Sequence, residues 1–278
     1  MPPSAQPPTP QTFAALVRAF TSFLTVSIHT ILYQRSLYPR TSFLTARAYN
    51  TPVHQSRHPA VCTWIADAVT AITDELYKNA VSRIVLVIYG PTTSSPRSSN
   101  SEETQSHHQG ELRALERYVW DVSRFPVVAS KADRETAFAA REDGAEEEEN
   151  VDLEEQFRAA LTKLNASGAG ALKALPPHCT FTVAVELKDE EAVDPPIGHP
   201  QPWIPVQPSL QAAKSNKSGG LAGGEERRGD DLGGAKTTPV RAVRAGEMIF
   251  EMWIEEGKAK LEMERLGINS NNSSTEVG

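Results

Sequence analysis

The residues whose types could do chemistry are the histidines, the clustered acids and the two cysteines. His107 and His108 are adjacent, but no carboxylate or thiolate stands at a spacing that would complete a metal site, so a solvated pair is expected. His54 and His58 frame a proline-containing segment where capping or turn hydrogen bonds are the economical use. His178 precedes a strand and has no nucleophile motif beside it. Asp189, Glu190 and Glu191 are neighbours in sequence at a polar strand end, which solvation explains without acid/base work. Cys62 and Cys179 lie far apart without CxxC spacing, which suggests neither a disulfide framework nor a zinc site and fits a reducing, intracellular compartment. GxSxG, Walker, HExxH and GxGxxG patterns are absent. The sequence therefore predicts a non-catalytic protein with no metal and no cofactor.

Composition narrows the choice of partner. A net charge of −7 disfavours a large phosphate-neutralising surface, so no direct nucleic-acid binding is expected. The apolar stretch from Phe13 to Tyr33 is interrupted by Arg18, His29 and several Ser/Thr residues, which reads as a soluble helix, with no membrane partner. With 39% hydrophobic residues, 20 prolines and 17 glycines, the chain can bury one core but not all of its length. One domain of about 180–200 ordered residues is the prior.

The elements that must position any site follow from periodicity. Leu16, Phe20, Phe23, Leu24, Ser27, Ile28, Ile31 and Leu32 recur at steps of three and four, a helix with a broad buried face that Pro39 ends. The segment onward to Pro59 holds Asn50 and Pro52 and is expected to be an ordered loop, followed by a second helix from about Pro59 to Lys78. Arg83–Tyr89 reads as a buried strand and Leu115–Ser123 as its hairpin partner. Asp152 can cap a third helix carrying Leu153, Phe157, Ala160, Leu161 and Leu164. Pro176–Leu187 alternates as the clearest strand, with Cys179, Phe181, Val183 and Val185 on one face. A Pro-rich and then Gly/Lys/Glu-rich excursion follows, and order returns at Glu247–Glu256, where Met248, Phe250, Met252 and Ile254 share a face. The sum is an α+β fold, three core helices on a mainly antiparallel sheet. The expected organisation is a disordered 1–11, one domain over 12–266 with disordered insertions near 92–110, 130–150 and 207–236, and a disordered tail 267–278. The acidic run Glu146–Glu149 is expected to be solvated linker.

Taken as whole blocks, FLTVSIHTILYQRSLYP, YNTPVHQSRHP, RIVLVIY, LERYVWDVS, EEQFRAAL, PPHCTFTV and PWI resemble, in the same order, the HORMA domains of accessory subunits of translesion DNA polymerase zeta, relatives of the Mad-type spindle-checkpoint proteins. The resemblance implies a HORMA fold with a C-terminal safety belt that wraps a partner peptide, which adds a strand to the sheet and becomes enclosed. It implies as partners the B-family catalytic subunit of that polymerase, through a proline-containing motif, and a scaffolding Y-family polymerase, together with a HORMA–HORMA dimer and a nuclear location. By position, Trp64 matches a channel-lining aromatic and Trp203 the belt tryptophan. The other reading of Trp64 is that it packs its helix into the core, and of Trp203 that it anchors a proline-rich loop. Arg158 matches a helix arginine used between protomers, where an ordinary solvated arginine is the alternative.

Thr237, Glu251 and Trp253 fall at the contact positions for the second polymerase, with Thr237 in place of an aliphatic residue and Glu251 in place of an amide. The insertions near Thr92–His108, Ser130–Asn150 and Gln207–Lys236 depart from compact members of the family, and the last lengthens the belt. Two other functions share this fold: a spindle-checkpoint protein that binds an anaphase-promoting-complex activator, and a meiotic chromosome-axis protein.

Overall fold

In the computed structural model, residues 10–91, 112–128, 130–138, 152–168, 172–188, 203–211 and 229–265 are described. His107, His108, Glu146–Glu149 and Asp189–Glu191 lie outside them, as do the insertion segments 92–110 and 139–150 and residues 212–228 of the third.

Thr12 opens the first helix, α1 (Phe13–Gln34), by accepting the amide of Ala15 on its Oγ1 at 3.1 Å. The helix stops before Pro39 is reached, because Ser36 turns left-handed at φ 53° and the Leu37 amide returns to the Leu32 carbonyl. All eight residues of its predicted stripe are buried. By length and apolarity alone α1 would pass as a membrane span, yet it runs through the centre of the protein. Phe23 stacks on Phe157 at 4.5 Å and meets Phe250 at 5.5 Å, so the first helix, the third helix and the last strand share one core.

The segment expected to be a loop is a hairpin, β1 (Phe43–Ala48) paired with β2 (Thr51–Ser56). Its two-residue turn is Tyr49-Asn50, both left-handed at φ 48° and 56°, the geometry that matches strand twist. The hairpin packs on α1, where the Ser56 amide donates to His29 Nδ1 at 3.3 Å. Helix α2 (Pro59–Tyr77) begins with Pro59 in its first turn and buries Val61, Ile65, Ile72 and Leu76. Helix α3 (Leu153–Ala166) is capped by Asp152 and buries the five predicted apolar residues.

The main sheet is antiparallel, in the order β5-β3-β4-β7-β6, with β3 (Val81–Pro91), β4 (Leu112–Asp121), β5 (Thr180–Leu187), β6 (Lys236–Ala245) and β7 (Met248–Glu256). Ile84, Leu86, Phe181, Val183, Phe250 and Ile254 face the three helices, while Val85, Val87 and Val119 face the other way. A fourth helix, α4 (Lys258–Arg265), continues from β7 through Gly257, whose backbone sits so close to β4 that a Cβ would stand 2.3 Å from the Ala114 carbonyl oxygen.

A buried ionic cluster ties the C-terminal elements to the centre. Arg35, at the end of α1, holds both carboxylate oxygens of Glu116 on β4, at 2.7 and 2.8 Å. Lys260 on α4 bridges Glu116 and Glu256, each at 2.6 Å, and Lys236 on β6 meets Glu256 at 2.9 Å. Burial opposes the Arg35 charge, but the Glu116 carboxylate outweighs it and the guanidinium pKa is raised. Burial likewise pushes Glu256 up, and the Lys260 and Lys236 ammonium groups override it, leaving that carboxyl below its usual range.

Candidate functional site

Strand β5 is an edge: among the described strands it pairs only with β3, so its outer rim of amides and carbonyls has no strand partner among the described residues. Beyond that rim stands α2. A groove of about 620 Å³ lies between them, floored by Ala68, Ala71, Phe181 and Val183. Trp64 leans over it from α2 with 41% of its surface exposed, its ring edge-on to Phe181 at 5.0 Å. The ring thus lies outside the core. Trp203 lines the same groove, half-buried against the core and near the α2 residues Asp67, Ala71 and Asp74, beside Ile204, which is 81% exposed.

The segment carrying Trp203 does more than flank the groove. Trp203 packs on the helix side of the sheet, whereas Val206 and Leu210, three and seven residues on, pack against Val85, Val87 and Tyr89 on the other side. Residues 203–210 therefore cross over the β5 edge from one face to the other. An extended peptide hydrogen-bonded to β5 would run beneath this crossing, with its alternate side chains meeting Trp64 and Trp203. The lining is apolar apart from Asp67 and the polar atoms of Thr180, Thr182, Tyr89 and Gln207. A lining of this kind favours apolar groups over charged ones.

The other sequence-selected residues lie elsewhere. Thr237, Glu251 and Trp253 share the sheet face opposite the helices: Thr237 is paired with Glu255, and Glu251 and Trp253 alternate with buried Phe250, Met252 and Ile254. Thr237 and Glu251 are exposed, and Trp253 is half-buried, its Nε1 donating to Glu255 at 2.8 Å and its ring 5.7 Å from the Arg83 guanidinium. Arg158 is half-exposed on α3 and does not line the groove. Sequence reading did not single out Phe181, Tyr89, Leu112 or the α2 residues Asp67, Ala68 and Ala71 as groove residues. The signal available was α2 itself, whose small residues at 68 and 71 leave a shallow face one turn from Trp64. Among the described residues no group of three His, Cys, Asp or Glu is gathered as a metal site.

Comparison with known proteins defines the class. Residues 17–205 match the HORMA domain, and the chain belongs to the HORMA domain family. It is 31% identical, over 85% of its own length and 90% of the relative's, to the DNA polymerase zeta processivity subunit of Schizosaccharomyces pombe. It is 30% identical to the mitotic spindle assembly checkpoint protein MAD2B of Danio rerio, over 60% of this chain and 63% of that protein. Among solved structures, a chain of the mitotic checkpoint complex aligns with TM-score 0.54 at 17% identity, over 86% of this chain and 97% of that one. HTP-2 of C. elegans bound to an HTP-3 closure motif aligns with TM-score 0.51 at 13% identity, over 89% and 88%. These two structures share the fold.

Proposed function

We propose that this chain is the non-catalytic adaptor subunit of a DNA polymerase zeta and acts in translesion synthesis in the nucleus. It captures a proline-containing peptide of the catalytic subunit along the β5 edge, under residues 203–210. The observation that carries this is the crossing of that segment over a strand edge unpaired among the described strands, with Trp64 and Trp203 both lining one apolar groove beside it. The 31% identity to the fission-yeast processivity subunit, over most of both chains, supports the assignment of partner. On this reading the C-terminal hairpin face carrying the exposed Thr237 and Glu251 and the half-buried Trp253 receives the second partner, the Y-family polymerase. Arg158, on α3, is available for contact with a second HORMA domain.

The test is affinity capture of the full chain from its native cell, before and after DNA damage, with Trp203→Ala as the control. Recovery of a B-family polymerase catalytic subunit that the variant loses supports the proposal. Recovery of an anaphase-promoting-complex activator or of meiotic axis proteins instead moves the function to the other two HORMA roles. In solution, loss of an aromatic anchor costs about 2 kcal/mol or more, roughly thirtyfold in Kd. Unchanged affinity in a variant with an unchanged Tm sinks the role given to Trp203.

A further inference from the structure

The belt's insertion sits between two points that touch. Residues Pro208–Leu210 form a 3-10 turn, and the chain that returns at Gly229 donates its amide to the Pro208 carbonyl at 3.1 Å. Two residues later the Asp231 amide donates to the Ser209 carbonyl at 2.9 Å. The described segments on either side, 208–211 and 229–231, thus meet at one neck, where the strap is linked from Ser209 directly to Asp231. From there Ala235 donates to the Glu256 carbonyl and the chain enters β6. Whatever the length of the insertion, it adds nothing to the circumference around the β5 edge while the neck is closed.

An ion pair links the neck to the sheet. Arg113, near the start of β4, places Nη2 2.8 Å from Asp231 Oδ1 and Nε 3.2 Å from both carboxylate oxygens. The Asp231 side chain is 2% exposed, so its charge depends on this guanidinium for the partner that water no longer supplies. On one side of the neck Leu210 is 9% exposed against Val85 and Val87. The Tyr89 ring, which lines the peptide groove, belongs to the same cluster, and its phenol is pushed up to about 12, by burial first and the Asp231 charge second.

We infer that Arg113 and Asp231 form the buckle of the belt: they are positioning residues that hold residues 203–211 across the β5 edge and set how long an enclosed peptide is retained. This rests on the peptide-capture reading for its consequence, but the buckle itself is testable without a peptide.

The first measurement is hydrogen exchange of the free full chain, wild type against Arg113→Ala and Asp231→Asn. Exchange at 203–211 and 229–235 should rise about tenfold or more in both variants, while β3 and β4 stay protected. The double variant Arg113→Asp/Asp231→Arg should restore part of the protection, which loss of a merely bulky contact would not predict. Replacing residues 212–228 by a short Gly-Ser link should leave exchange at 203–211 unchanged. Unaltered exchange in both single variants, or a strap loosened by the deletion, overturns the inference. The second measurement uses a fluorescein-labelled proline-containing peptide from the polymerase zeta catalytic subunit. Its dissociation from preformed complexes should be about tenfold faster in Arg113→Ala, and an unchanged rate overturns the retention role. If that peptide does not bind wild type, the proposed function fails, and the exchange measurement still decides the buckle.

Discussion

Glu116 carries more of this structure than any residue selected for function. It is fully buried, and it accepts from Arg35, Lys260 and the Tyr118 hydroxyl, so two cations depend on one carboxylate. A buried pair adds little against an apolar replacement, but removing one member strands the others. Glu116→Gln leaves two buried cations with only Glu256 between them and should destabilise the chain by about 3–5 kcal/mol in urea unfolding at neutral pH. The contrast is Arg83, whose side chain is 44% exposed and whose partners Asp121 and Glu186 are 19% and 33% exposed: Arg83→Ala should cost about 1 kcal/mol or less. Comparable losses in the two variants would remove the case for the cluster as the anchor of the C-terminal elements. None of this is legible in sequence, because Arg35, Glu116 and Lys260 are far apart in the chain and each reads alone as a surface charge. Trp64 and Trp203 were picked out by their positions in the family resemblance, and the fold places both in the lining of one groove.

At the scale of elements, strong periodicity was read correctly and punctuation was not. The stripes of α1 and α3 and the alternation of β5 and β7 are where sequence and structure agree, because burial on one face imposes the period directly. The β1–β2 hairpin was hidden by Asn50 and Pro52, which signal a loop; here Asn50 is half of the tight turn and Pro52 sits in a two-stranded ribbon that asks little of its missing N–H. Strand β6 was hidden by Pro239 and by a register shift between Pro239 and Arg241, which puts Val240 and Val243 inward at an odd spacing. The hairpin also predicts a pH response. His29 is 6% exposed and its pKa lies below 6.5 because burial disfavours the imidazolium. The unfolded chain takes up that proton near pH 6.5 and the folded chain refuses it, so stability falls as pH drops below about 6.5 until the folded pKa is reached. His54, lowered by burial and by the Arg40 charge, acts in the same direction. His29→Asn keeps an acceptor for the Ser56 amide, so Tm measured from pH 7 to pH 5 should fall less steeply in the variant. Parallel slopes would show that His29 does not carry the response.

For the whole molecule, the arrangement of edges decides where a partner strand can add. The five-stranded sheet has two ends: β6, which carries Pro239 and a bulge, and β5, which is regular from Phe181 to Glu186. Pro and bulges blunt an edge against pairing, so the regular β5 edge is the receptive one. The C-terminal hairpin occupies the β4 side and is pinned there by Lys236, Glu256 and Lys260, which places it at the end of the sheet away from β5. Peptide capture by strand addition then has a distinct signature in hydrogen exchange. Saturating peptide should slow exchange within β5 at alternate, outward amides and across 203–211, whose crossing closes on the occupant. It should leave the β6 edge unchanged. Protection confined to β6, or spread evenly over the chain as simple global stabilisation would give, would place the partner elsewhere than under the strap.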